Sequence, residues 1–359
     1  MSFALPKTGL PTPLAKRRNH NSSGSIPRRT FTRGIALAAS AALSLSLAAC
    51  TTAAESETPL EGTGASGEWP RTVTHEAGET TIDAMPERIV STTLSVTGTL
   101  LAIDAPVTAT AFTPAKGGTA DENGFFTQWA DVAVQRNVEP LYPVGEFDLE
   151  AVIAQEPDLI VVSTSGNDSV LDQYETLSGI APTVVVNYGD QSWQDLAEEL
   201  GEATGHEQDA ADVVEEFDAK VAETAETLRI EEGATASIVS YNPGRPSPVG
   251  KTTGPHAQLL QTLGFRIAEP DEQYDTSVQK REDFSFSSYE GLAESVTGSY
   301  TFLISADEKK VDAFTADPTL ANVPAVVNNK VYPLGLASFR LDYYSSTEIV
   351  DWFGETFGK

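Results

Sequence analysis

Seven of the 23 Lys and Arg in this 359-residue chain lie within the first 33 residues, where no acid occurs, and 16 cations remain to face 52 Asp and Glu. The formal net of about −36 beyond that leader repels anions at long range and excludes nucleic acid as a natural partner. A site for an anion must therefore be a local cluster of those few cations. Arg245 lies in Tyr241-Asn242-Pro243-Gly244-Arg245-Pro246, directly after a candidate strand, and Lys251 follows it closely. In an α/β lobe, the loops after strands are where clefts form. Lys116 occupies the Gly-rich stretch from Ala115 to Thr119. Arg340 sits in a loop that opens toward a C-terminal helix, followed by the adjacent pair Tyr343 and Tyr344. Neighbouring residues on a strand or loop point to opposite sides, so one ring of the pair faces a cleft, and Tyr343 is the candidate. The alternative for each cation is a solvated loop charge or a surface pair with one of the many acids.

Other chemistries are excluded by what those residues lack. Gly250-Lys251-Thr252 mimics the end of a phosphate-binding loop, but the required spacing puts Arg245 where a glycine is needed. Pro246 and Pro248 also remove two backbone donors that such a loop uses. Neither a Gly-x-Ser-x-Gly elbow nor a His-Glu-x-x-His pair occurs, which argues against a hydrolase. The four histidines, His20, His75, His206 and His256, are scattered and offer no paired metal-ligand pattern. No resident cofactor or metal is expected.

The only cysteine is Cys50, so no internal disulfide can form. It ends a run from Gly34 to Ala49 that is uncharged and rich in Ala and Leu, behind the basic leader. Sixteen residues fall short of the roughly 20 that span a bilayer as a helix, and the pattern is that of a signal peptide. Leu47-Ala48-Ala49-Cys50 resembles a bacterial lipobox, which implies a lipid on Cys50 and attachment at the outer face of the cell membrane. Arg28-Arg29-Thr30-Phe31-Thr32-Arg33 resembles a twin-arginine signal, with the general secretory route as the alternative. Residues 51 to 68 are too poor in apolar side chains to fold and form a tether of roughly 25 Å reach.

From Trp69 onward, short β-branched runs alternate with helical stretches, which predicts an α/β fold with mainly parallel strands. Candidate strands are 88–91, 159–163, 183–187, 236–241, 302–305 and 331–334. Between them, Val213, Val214, Phe217 and Val221 recur at helical spacing in a stretch from Glu207 to about Leu228 without Gly or Pro. That predicts a helix of roughly 30 Å, long enough to bridge two lobes. The halves on either side share a pattern: Leu149-Glu150-Ala151-Val152-Ile153 precedes one strand and Tyr289-Glu290-Gly291-Leu292-Ala293 another. The expected organisation is a signal peptide over 1–49, the tether over 50–68, a first Rossmann-like lobe over 69–205, the bridging helix over 206–230 and a second lobe over 231–359.

Five stretches carry a more specific likeness: Trp69-Pro70-Arg71, Pro86 to Thr92, Gly98 to Pro106, Glu156-Pro157-Asp158-Leu159-Ile160 and Ser338 to Ser345. They resemble the substrate-binding proteins of ferric-siderophore ABC importers, from about residue 69 to the C-terminus. The resemblance implies a monomeric two-lobed receptor, without catalysis, that delivers an iron chelate of catecholate type to a permease dimer and its ATPase. It implies that Arg340 contacts the anionic ligand, and that Glu150 and Glu290, one per lobe, dock on arginines of the permease. A ferric tris-catecholate has a net charge of about −3 and aromatic faces, which suits Arg, Lys and stacking rings. The chelator fills the iron's coordination sphere, so the protein needs no ligand to the metal. Haem, cobalamin or another iron chelate are the alternatives within the class, and a non-binding surface lipoprotein lies outside it.

Overall fold

The structure is a computed structural model that describes residues 68–114, 117–278 and 280–359. Cys50, the leader, almost all of the tether and Lys116 lie outside the described residues. The described chain opens with a hairpin of β1 (Arg71–His75) and β2 (Gly78–Ile82). Five strands then build a parallel sheet: β3 (Ile89–Ser91), β4 (Val107–Phe112), β5 (Glu139–Pro143), β6 (Leu159–Ser163) and β7 (Thr183–Val186), in the order β5-β4-β3-β6-β7. The second sheet contains β8 (Thr235–Val239), β9 (Ser247–Gly250), β10 (Arg266–Ile267), β11 (Phe284–Ser287), β12 (Tyr300–Leu303) and β13 (Val331–Pro333). Its order is β11-β9-β8-β12-β13, with β10 beside β8 and only β9 antiparallel to its neighbours.

Strands β6 and β7 are legible because their apolar runs are buried without a break. Leu159-Ile160-Val161-Val162-Ser163 is buried at every position, as a parallel strand between two helical layers must be. Strand β4, buried but composed largely of Thr and Ala, and the edge strand β5 lack that signal. Strand β5 reads Glu139-Pro140-Leu141-Tyr142-Pro143, and two prolines are tolerated there because the strand has a neighbour on one side only. The expected strand 302–305 instead ends at Leu303, because Ser305 takes a left-handed φ of 50° that breaks the extended chain.

The long helix runs from Glu207 to Thr227, 21 residues or about 32 Å. Ala210, Val213, Phe217 and Val221 form its buried stripe, and Phe217 meets the Trp193 ring edge-on at 5.1 Å. The C-terminal helix, Tyr343–Phe357, lies against it, with an ion pair from Lys220 to Asp351 at 2.6 Å. One apolar core is continuous from the first lobe (Leu100, Val161) through Trp193, Phe217 and Val221 to the second (Phe302, Phe353). The opposite face of each sheet has its own smaller core, around Val90, Val162 and Val185 in one and Val239, Leu303 and Phe314 in the other. A continuous core behind the lobes leaves little freedom for wide opening, since packed interiors resist continuous deformation. Among the described residues, no helix is long and apolar enough to cross a membrane.

Candidate functional site

The segment after β13 is fixed at several points before it delivers Arg340. Gly335 supplies a φ of 90°, and its carbonyl accepts from Ala306 N at 3.1 Å. Ser305 N donates to Ser338 Oγ at 2.9 Å, and His256 Nε2 donates to the Ser338 carbonyl at 2.7 Å. That bond puts the proton of the neutral ring on Nε2 and leaves the buried Nδ1 without a partner among the described residues. Burial pushes the His256 pKa down to about 4. Beyond Arg340, Asp342 caps the C-terminal helix through a reciprocal pair with Ser345. Arg340 is thus carried on a short, pinned bridge between a strand and a helix.

Its side chain crosses to the other lobe. The guanidinium lies 4.1 Å above the ring centroid of Tyr188, in the loop that follows β7. Arg340 forms no ion pair or hydrogen bond through its side chain to any described residue, so its N–H donors remain open to the cleft. Burial lowers its pKa from the ordinary arginine value, opposed by the nearby charge of Tyr188 and Asp168. Tyr188 donates its hydroxyl to Asp168 Oδ1 at 2.6 Å. Burial, and then the Asp168 charge, raises the Tyr188 pKa to about 12. Next to Arg340, Phe339 is 64% exposed, an apolar ring held out to solvent.

A second charged group comes from the loop between β10 and β11. Arg281 is clamped on Asp283 by two hydrogen bonds of 2.7 Å, Nε to Oδ1 and Nη2 to Oδ2. With Pro246, Thr276, Ser277, Val278 and Phe286, it lines an open cavity of about 410 Å³. Paired in this way, Arg281 offers the cavity a flat guanidinium face whose charge Asp283 already meets. Among the described residues, no cluster of three or more His, Cys, Asp or Glu is poised to hold a metal ion.

A family model described as periplasmic binding protein matches residues 89–336. The chain belongs to the periplasmic binding protein family. It is 42% identical over 286 residues to the ferric enterobactin-binding periplasmic protein FepB of Escherichia coli O6:H1, covering 79% of this chain and 90% of that protein. The probable siderophore-binding lipoprotein YfiY of Bacillus subtilis is 28% identical over 222 residues, 60% of this chain and 63% of that one. The crystal structure of holo-ViuP superposes with a TM-score of 0.75 at 42% identity, covering 82% of this chain and 97% of that chain. Staphylococcus aureus SirA complexed with staphyloferrin B matches with a TM-score of 0.61 at 21% identity, covering 79% and 97%, and shows the fold alone.

As a periplasmic binding protein, and not an enzyme, the chain needs groups that hold a ligand. Arg245 is exposed on the turn between β8 and β9, with no side-chain partner among the described residues, near the cavity that Pro246 lines. Lys251 differs from the expected free cation. It is 9% exposed, and its Nζ donates to the Arg281 carbonyl at 2.8 Å, so it staples the loop that carries Arg281. Tyr343 is also placed differently. As the first residue of the C-terminal helix, it turns its ring to Trp193 at 5.8 Å, close to Glu216 and Lys220 of the long helix. Tyr344 turns instead toward Arg136 and Asp104. The two rings still meet edge-on at 5.3 Å, and neither joins Tyr188 beside Arg340.

Glu150 and Glu290 are both exposed, without side-chain partners among the described residues. They are presented by different means. Glu150 is in the first turn of the helix Leu149–Ala154, whose cap Asp148 accepts from Glu150 N at 3.0 Å. Glu290 lies in a turn ahead of the helix Leu292–Ser295, beside Tyr289, whose hydroxyl bonds the buried Asp317 at 2.9 Å. The residues that the sequence did not single out are Tyr188, Asp168, Arg281 and Asp283. For Tyr188 a signal exists: Asn187-Tyr188-Gly189-Asp190 directly follows a strand, as the Arg245 loop does.

Proposed function

We propose that this binding protein captures a ferric siderophore of catecholate type and delivers it to the permease of an ABC importer. The observation that carries the proposal is Arg340: a partly desolvated guanidinium, stacked on an aromatic ring, with its donors unspent and no carboxylate paired to it. In a chain with so few cations, leaving one desolvated and unpaired has a cost that a bound anion offsets. A tris-catecholate complex supplies anionic oxygens for the donors and aromatic faces for the exposed Phe339. The likeness to a ferric enterobactin-binding protein supports the same class. Arg245 and Lys116 supply further charge in this proposal, while Arg281, already paired with Asp283 and held by Lys251, shapes the cavity wall. The iron is cargo, and the protein contributes no ligand to it.

Delivery completes the proposal. A lipid on Cys50 holds the protein at the outer face of the cell membrane, where tethering raises its effective concentration at the permease. Glu150 and Glu290, one per lobe, meet the two halves of a two-fold permease dimer. The test is quenching of Trp fluorescence by ferric enterobactin, haem, cobalamin and free ferric ion. Saturable submicromolar quenching by the siderophore alone is the expected result. Tight binding of haem or free metal with no siderophore response would overturn the proposal.

A further inference from the structure

Asp168 is 7% exposed, and its carboxylate collects three donors from two parts of the first lobe, a helix start and the loop after β7. Oδ2 accepts from Thr93 Oγ1 at 2.7 Å and from Ser95 N at 2.9 Å, and Oδ1 accepts from the Tyr188 hydroxyl at 2.6 Å. Ser95 is the second residue of the helix Leu94–Ala102, whose own cap residue, Thr93, makes no side-chain capping bond. Asp168 therefore serves that helix from outside the element, and the orphan amides at the helix start favour its negative charge. Gly166 confirms how closely the group is built. It has a φ of 79°, and a Cβ there would lie far inside contact distance of the Tyr188 hydroxyl oxygen and 2.7 Å from Asp168 Oδ1.

We infer that Asp168 is a positioning residue for the ligand cleft: its carboxylate holds the Tyr188 hydroxyl so that the ring face stays under the Arg340 guanidinium. The inference rests on the proposed function for what Arg340 does, and adds how it is kept ready. A direct Asp–Arg pair would neutralise Arg340 and occupy the donors that a ligand needs. Here the negative charge stands one ring away. It attracts the guanidinium through the phenol while leaving the N–H groups open, and the shared hydrogen bond increases electron density on the ring face. The device spans the cleft, with Asp168 and Tyr188 on one lobe and Arg340 on the other.

The experiment compares the full chain with its Asp168→Asn, Tyr188→Phe and double variants, using ferric enterobactin as the probe. Each single variant is expected to weaken binding by roughly tenfold, as loss of a charge-assisted hydrogen bond does. The double variant is expected to bind as Tyr188→Phe does, because both changes break one link. Additive losses, or wild-type affinity in a folded Asp168→Asn, would overturn the inference. A ligand-free readout separates it from the proposed function. In wild type at neutral pH, the Arg340 Nε–H resonance, assigned with Arg340→Lys, is expected upfield under the Tyr188 ring current. Tyr188→Phe keeps a ring yet releases its edge, so the upfield shift should shrink. An unchanged shift would show that the hydroxyl does not set the ring. Failure of wild type to bind ferric enterobactin, with the shift behaving as stated, would refute the ligand and leave the positioning role standing. Should Asp168→Asn not fold, Tyr188→Phe carries both arms.

Discussion

A Cβ placed on Gly98 would stand 2.7 Å from Asp342 Oδ2 and 2.8 Å from Trp129 Cδ1. Gly98 lies in a first-lobe helix and Asp342 caps the C-terminal helix, so this contact is one point where those two helices meet. Asp342 also accepts from Gln128 Nε2 at 3.1 Å. The glycine is required by the neighbour, since its backbone is ordinary helix. Gly98→Ala should push the capping carboxylate off its partners and cost about 1 to 3 kcal/mol. Thermal unfolding should show a lower midpoint, and an unchanged one would mean that Asp342 can retreat without loss.

How much of this was legible in the sequence depends on the range of each contact. The long helix was visible because its apolar stripe and lack of Gly or Pro are local, and its observed span of Glu207–Thr227 matches the expected one to a residue. Strands with dense apolar runs such as β6 and β7 were visible for the same reason, whereas β4 was diluted by Thr and Ala, β5 was hidden by its prolines and β10 by its length of two residues. At the site, Arg340 was identified through its motif. Tyr188 was not, since it stands 152 positions away in sequence and meets Arg340 only when two lobes face each other. Tyr343 was chosen for proximity along the chain, but helical rotation carries its ring to Trp193. Lys251 carries the expected charge, yet nothing local shows that the Arg281 carbonyl would claim it.

Acid should weaken the fold through His256. Its folded pKa, about 4, lies below the ordinary 6.5, so between those values the unfolded chain binds the extra proton. Stability contributed by the neutral ring is therefore complete above about pH 6.5 and falls as the pH drops toward 4, by up to roughly 3 kcal/mol. Asp342 works in the opposite sense, because burial raises its carboxyl and its protonated form is favoured in the fold. The clean measurement is a difference. Denaturant midpoints of wild type should fall faster with acid over this range than those of His256→Gln, which keeps a donor for the Ser338 carbonyl. Parallel curves would remove His256 as the cause.

Arg340 should be sensitive to shape as well as charge. Arg340→Lys keeps the charge but loses the planar group that lies on Tyr188 and the fork of donors above it. Titration with ferric enterobactin should show a loss of roughly tenfold for Arg340→Lys and roughly a hundredfold for Arg340→Ala, at about 1.4 kcal/mol per tenfold. Both variants should melt no lower than wild type, since the folded protein gains little from a desolvated, unpaired cation. Equal affinity for all three proteins would remove Arg340 from the ligand site.

Glu150 and Glu290 separate capture from delivery. Each is exposed and, among the described residues, unpaired, and each lies at a matching place in the two half-repeats. Their carboxylates take no part in the bonds that build the Arg340 cleft, so charge reversal should leave the ligand affinity as it is. Docking on a permease is different, because like charges brought face to face cost several kcal/mol and slow the encounter. Glu150→Arg with Glu290→Arg should therefore bind ferric siderophore normally while cells that depend on this receptor take up almost no iron from it. Each single reversal should retain part of the uptake, as half of a two-point contact remains. If the double variant loses ligand binding, the two residues belong to the cleft and the docking role falls. If uptake is unaffected, the permease reads some other surface of the lobes.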